Sequence, residues 1–185
     1  MKRDFFRKVG FGIAPGESVP TDPLAWAQAQ MDTVPDLSWK GDIPTGEALM
    51  DHYAHWVYTD RKVLRKKHKK DRKAYKAAKE QLRCETGERF FENLELAIRH
   101  DAALNSGAPV FERLWFFWAN HFAITDKDFM PEFTTGAYHR DVLRQHMTGS
   151  FVDLTKAATT SWRISSLTRP RPNALTRRKV SSNGP

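Results

Sequence analysis

The run 109–123, Pro-Val-Phe-Glu-Arg-Leu-Trp-Phe-Phe-Trp-Ala-Asn-His-Phe-Ala, most constrains what this chain can fold into. It opens on proline, which is well placed at a first helical position. Phe111, Leu114, Trp115, Trp118 and Phe122 then recur at helical spacing, and Phe116 and Phe117 cover much of the remaining surface. A helix apolar nearly all round is buried on most sides, so other elements must pack around this one. Trp115 and Trp118 are expected to be largely buried, with Phe111, Leu114 and Phe122 about them. The run also carries Glu112, Arg113, Asn120 and His121, and it is shorter than the roughly 20 apolar residues of a bilayer span. It reads as a core helix, and no membrane span is expected anywhere in the chain.

The flanking sequence supplies further helices. Thr21-Asp22-Pro23 offers a capping side chain followed by proline, so a short helix is expected from there to about Met31. From Thr45, the residues Leu49, Tyr53, Trp56, Val57 and Leu64 follow at steps of three and four. The stripe is interrupted over 65–73 and resumes at Tyr75, Ala78 and Leu82. Thr86 with Glu88 is read as the start of the next helix, with Phe90, Phe91, Leu94, Ala97 and Ile98 facing inward. Asn105-Ser-Gly ends it. A polar loop with Asp126, Asp128 and Pro131 follows the central helix. A fifth helix runs from Tyr138 to Met147 and ends at Gly149, expected in the left-handed conformation. Ser150 with Asp153 caps a sixth, to about Thr160. No alternating strand and no repeat is visible. The expectation is an all-α, irregular bundle of about six helices over 1–160, followed by a disordered basic tail over 161–185.

Charge is spread unevenly. The formal net charge is +8 over 185 residues. Residues 61–83 hold twelve Lys or Arg against two acids, and 163–185 hold six and none. Those two segments account for +16 and leave −8 for the rest. The chain is an acidic globule with basic appendages, an asymmetry that points to specific cationic surfaces. Cys84 is the only cysteine, which excludes a disulfide framework and a multi-cysteine zinc site. The first residues lack an apolar secretory core, so a cytoplasmic location is expected.

Three blocks carry a family resemblance. Glu112-Arg-Leu-Trp-Phe-Phe-Trp-Ala-Asn-His-Phe122 resembles an ERLxxFWxNHF signature. Residues 138–154, Tyr-His-Arg-Asp-Val-Leu-Arg-Gln-His-Met-Thr-Gly-Ser-Phe-Val-Asp-Leu, resemble a block of the form YxREVIRPHxLGxFxDLL. Phe11-Gly-Ile-Ala-Pro-Gly-Glu17 matches an FGxxPGE start, with Trp26 and Gln30 placed as in a WxxxQ helix. In that order the blocks resemble the bacterial domain of unknown function 1800 family. The resemblance implies a predominantly helical protein, usually longer than this one. It implies no established activity. Many relatives carry export signals, and a sulfatase-like partner is implied by the same resemblance.

Candidate chemistry rests on six residues. Arg113 and Asn120 lie along one line of the central helix, with His121 beside them. Arg140, Arg144 and His146 lie on the fifth. Antiparallel packing of the two helices would bring them together. One reading is a polar pocket for an anion or polar substrate, with histidine as base and arginines as forked donors, in a hydrolase-like or metal-assisted fragment. The other is a buried Arg–carboxylate network with Glu112, Asp141 and Asp153 that sets helix packing, and this is the favoured one. A metal site from His121, His139 and His146 lacks ligand spacing, so no metal and no cofactor is expected. The glycine-rich opening lacks the lysine and strand of a phosphate loop and is rejected.

The basic segment supports another class of function. Arg65, Lys66, Lys67, Lys69, Lys70, Arg72 and Lys73 are its anion-binding candidates. As one continuous helix, 61–83 would be a cationic rod about 34 Å long. Weak, non-specific nucleic-acid binding is expected of it. Lastly, the tail itself suggests a frameshift near residue 160. Among the synonymous choices, the codons TTG-ACC-AGG-CCC-AGG would encode Leu167-Thr-Arg-Pro-Arg171. Read one base earlier after a C, they spell Leu-Asp-Gln-Ala-Gln, the continuation that the family resemblance implies. On sequence alone the chain reads as a truncated member without demonstrable activity of its own.

Overall fold

A computed structural model describes residues 2–13, 16–124 and 129–161. The tail and its suggested frameshift lie outside the described residues, apart from Ser161. Among the described residues every regular element is helical. They are α1 (Lys2–Val9), α2 (Pro23–Ala29), α3 (Gly46–His55), α4 (Arg61–Lys67), α5 (Arg72–Glu85) and α6 (Glu88–Asn105). α7 (Pro109–His121), α8 (Phe129–Tyr138), α9 (Arg144–His146) and α10 (Phe151–Thr160) complete the order. π-helical turns at Trp56–Asp60 and His139–Leu143 join α3 to α4 and α8 to α9.

Local chemistry sets most boundaries. Asp22 accepts from the amides of Leu24 and Ala25, both at 3.0 Å, and Pro23 begins α2. Thr45 caps α3 by accepting from Ala48 N at 3.2 Å. Ser150 accepts from Asp153 N at 3.1 Å, while its hydroxyl donates to the Asp153 carboxylate at 2.7 Å. These caps fill donors that a helix start leaves without intrahelical partners. Gly107 ends α6 at φ +71°, a conformation that favours glycine.

Several expectations are corrected. Thr86 terminates α5, its amide donating to Leu82 O, and Gly87 rather than Thr86 is the N-cap of α6. A Cβ on Gly87 would stand 2.8 Å from both Arg83 Cα and Trp56 Nε1, so close packing selects glycine there. Gly149 does not adopt a left-handed φ. Phe90 points out and is 43% exposed, whereas Phe91 is buried. The basic segment is two helices and not one rod, because α4 stops at Lys67 and α5 begins at Arg72. α1 and α8 are helices that the sequence pattern did not suggest. Their polar or loop-like residues hide the buried Phe6 of α1 and the buried Phe133, Thr134, Ala137 and Tyr138 of α8.

Two apolar clusters form the interior. The larger contains Phe111 and Trp115 of α7 with Tyr138, Val142, Leu143, Met147, Leu154 and Ala158. The smaller joins Leu49 and Trp56 to Phe91, Phe133 and Ala137. Trp115 is 2% exposed and donates from Nε1 to His139 O at 2.9 Å. Trp118, less deeply placed, is half-buried. It sits at the edge of the cluster, 5.7 Å from the ring of Phe122 and 5.9 Å from that of Phe151.

Candidate functional site

The polar residues of the two long blocks part into a buried set and an exposed set. Arg140 and Arg144 are 4% and 1% exposed. Arg144 lies over the rings of Phe111 and Trp115 at 4.9 and 5.2 Å. Its Nη2 donates to Glu112 Oε1 at 2.7 Å, and its Nη1 donates to Pro35 O at 2.7 Å. Arg140 pairs with Glu95 and with Asp141, and its Nη2 donates to Pro44 O at 2.7 Å. Each guanidinium therefore ties three chain segments together: a carboxylate on one helix, its own helix, and a loop carbonyl. Forked donors suit that task because several acceptors are met at fixed angles.

Asn120, His121 and His146 are exposed. His121 stacks on Phe117 at 5.9 Å and 15°. His146 Nδ1 lies 2.8 Å from Val142 O within its own helical turn. Arg113, also exposed, reaches α1 and donates from Nη1 to Arg7 O and Gly10 O, both at 2.7 Å. It satisfies carbonyls at the end of that helix. Gln30 acts likewise on α7, since its Oε1 accepts from Val110 N at 2.9 Å while its Nε2 donates to Trp26 O at 3.2 Å. Asp153 belongs to the cap of α10. Among the described residues no group of three or more His, Cys, Asp or Glu is placed to hold a metal ion.

A cavity of about 250 Å³ lies between α6 and α8, lined in part by Glu95, Arg99, Glu132, Thr135, Gly136 and His139. Gly136 makes the close helix approach. A Cβ there would meet Glu95 Cβ at 2.2 Å. Burial pushes the Glu95 carboxyl above its ordinary range, and Arg140 offsets only part of this. Burial pulls the Arg99 guanidinium down, with Glu95 opposing, and its Cζ rests 5.1 Å over the ring of Phe116. Glu112 behaves as Glu95 does: burial raises it and Arg144 opposes. Glu95 and Arg99 were not singled out in the sequence. The available signal was two acids, Glu88 and Glu95, placed seven residues apart in line with Phe91 and Ile98 on the apolar stripe of α6. A charge in a buried stripe implies a buried partner.

The seven cationic candidates, Arg65, Lys66, Lys67, Lys69, Lys70, Arg72 and Lys73, are all exposed. They stand on the facing ends of α4 and α5 and on the turn between them. No helix among the described residues is long and apolar enough to cross a membrane.

Comparison with known proteins gives a family but no neighbour of known activity. No curated protein matches the chain, and no solved structure does. The profile of the family described as "Protein of unknown function (DUF1800)" matches residues 4–163. That interval takes in the FGxxPGE-like opening, the α7 block with Glu112, and the α8–α10 block with Arg140 and Arg144, and the chain belongs to that family of unknown function.

Proposed function

We propose that this chain is the helical N-terminal portion of a larger family domain, a scaffold with no reaction of its own. The observation that carries this reading is an aromatic ridge on α7 and α10. Phe117 is 55% exposed, Phe151 60% and Val152 58%, with half-buried Trp118 between the two helices. Large exposed apolar groups in one patch mark a surface built to be covered. The locked state of Arg140 and Arg144 supports the same reading, because arginines held by buried carboxylates and carbonyls have few donors left for a substrate.

The test has a biophysical and a genetic arm. The purified chain should enhance the fluorescence of an apolar dye such as ANS, and the triple variant F117S/F151S/V152S should lose that enhancement while keeping its helical signal. The gene, read one base earlier near codon 160, should stay open and encode a further helical body. A folded wild-type chain that leaves the dye dark, or an early stop in that frame, contradicts the proposal.

A further inference from the structure

The most concentrated charge in the described structure lies outside the blocks that resemble the family signatures. Lys66, Lys67, Lys69, Lys70, Arg72 and Lys73 place six cations in eight residues, and all are exposed. Lys62, Arg65 and Lys76 extend this surface along both helices. The turn that gathers them is well formed. His68 N donates to Leu64 O at 3.0 Å, and Asp71 N donates to His68 O at 3.2 Å. Asp71 is the only acid between residues 61 and 79, and its carboxylate is spent on the cap of α5, accepting from Ala74 N at 2.9 Å.

None of these nine cations forms an ion pair with a carboxylate among the described residues. Their neighbours contrast with them. Arg83 pairs with Glu80, Glu88 and Glu132, and Arg89 pairs with Glu80. Like charges crowded without counter-charges repel and raise the free energy of the folded hairpin. Arg72 and Lys73 face a further penalty, because they occupy the first turn of α5, where the helix dipole disfavours cations. Within the described fold the Asp71 cap and the Tyr58 ring, 5.7 Å from Lys62 Nζ, offset only part of these costs. A polyanion outside it would offset the rest.

We propose that the α4–α5 hairpin docks on the phosphate backbone of duplex nucleic acid and grips it without reading sequence. This goes beyond the scaffold reading and does not depend on it. A duplex carries about one charge per 1.7 Å of axis, and each cation that neutralises a phosphate releases condensed counterions. Lysines and arginines on two arms of a hairpin can meet both strands across a groove. Sequence readout would need amide or fork donors held at fixed geometry against base edges, and the tip is mostly flexible lysine. A bilayer fits less well. No apolar side chain occurs between Arg65 and Lys73; Leu64, Tyr75 and Leu82 are half-buried, and Val63 is the one exposed aliphatic residue of α4. The tip therefore has nothing to insert beside its charges, as an interfacial helix requires.

The test is fluorescence anisotropy of the full chain with two labelled duplexes of equal length and unrelated sequence, over a potassium chloride series. Both duplexes should bind alike, with a log–log salt slope of about −5 for six neutralised phosphates. K66Q/K67Q/K69Q/K70Q, with its helical signal intact, should weaken binding at least tenfold at low salt. It should also flatten the slope by about 3 to 4, one phosphate per lost lysine. R177S/R178S/K179S, which discharges part of the tail, should retain most of the slope. Four results overturn the proposal: no duplex binding at low salt, unchanged binding by the hairpin variant, loss of the slope in the tail variant, or a strong preference for one duplex. A fifth is tighter hairpin-dependent binding to phosphatidylserine vesicles than to either duplex at the same salt.

Discussion

Glu112 of α7 and Arg144 of α9 meet inside the larger apolar cluster, Oε1 to Nη2 at 2.7 Å, with Glu112 0% and Arg144 1% exposed. The two residues come from different sequence blocks, 32 positions apart, and they fix the register of the central helix against the α8–α10 segment. Pro35 O takes a second donor of the guanidinium and draws the 30–45 loop onto the same core, while Arg144 Nε is buried without a hydrogen bond among the described residues. Arg140, Glu95 and Pro44 repeat the pattern one helical turn away. Charges taken out of water at this depth are tolerated only where partners and carbonyls satisfy them. The pairs therefore specify which helices pack together, while the aromatic contacts around them supply most of the favourable free energy.

Burial separates two aromatic residues of α7 that look alike in sequence. Trp115→Ala should destabilise the fold by about 3–5 kcal/mol in denaturant unfolding, because it empties a site closed on all sides. Phe117→Ala should change stability by no more than about 0.5 kcal/mol, since its ring is mostly in water. Equal losses for the two variants would mean that the exposed side of α7 is covered within this chain.

Gly136 tests the α6–α8 contact. An alanine there forces its Cβ against Glu95 Cβ, and both atoms belong to rigid helices. Gly136→Ala should destabilise by more than about 1–3 kcal/mol, the usual range for overpacking. In an exposed helix the same change would be favourable by about 1 kcal/mol. A stabilised variant would show that the helices stand further apart.

The carboxyls of Glu95 and Glu112 also make a prediction in pH. Burial lifts each above its ordinary value, so the folded chain holds a proton more tightly there than the unfolded chain. The stability that this contributes is present below the unfolded pKa of about 4.3 and is lost as pH rises through the folded value. Urea unfolding of wild type and Glu112→Gln across that window should show wild type losing ground to the variant as pH rises. The opposite trend would mean that Arg144 outweighs burial.

The all-helical class and most helix starts were legible because they rest on local chemistry: Asp22, Thr45 and Ser150 are capping residues, and Leu49, Trp56, Phe111 and Trp115 keep helical spacing. α8 was not, because Pro131, Glu132 and two threonines mask the burial of Phe133 and Ala137. The polar stripe of α7 was legible as a stripe but not as a surface. Periodicity places Arg113, Asn120 and His121 on one side of the helix without saying whether that side faces protein or water. Arg140 and Arg144 stood out, and Asp141 was named as a carboxylate partner. Glu95 was not, since its place depends on the α6–α8 crossing and on the small size of Gly136.

The buried polar residues of the two long blocks, Glu112, Arg140 and Arg144, hold the helices in register. A double-mutant cycle on Glu112 and Arg144, read by denaturant unfolding, tests that role most directly. Arg144→Leu alone should cost about 3–5 kcal/mol, because it leaves a carboxylate buried without its cation. The double variant E112M/R144L should recover most of that loss and remain helical, as apolar replacements of buried pairs commonly do. A single variant as stable as wild type, with no coupling between the two positions, would contradict that role.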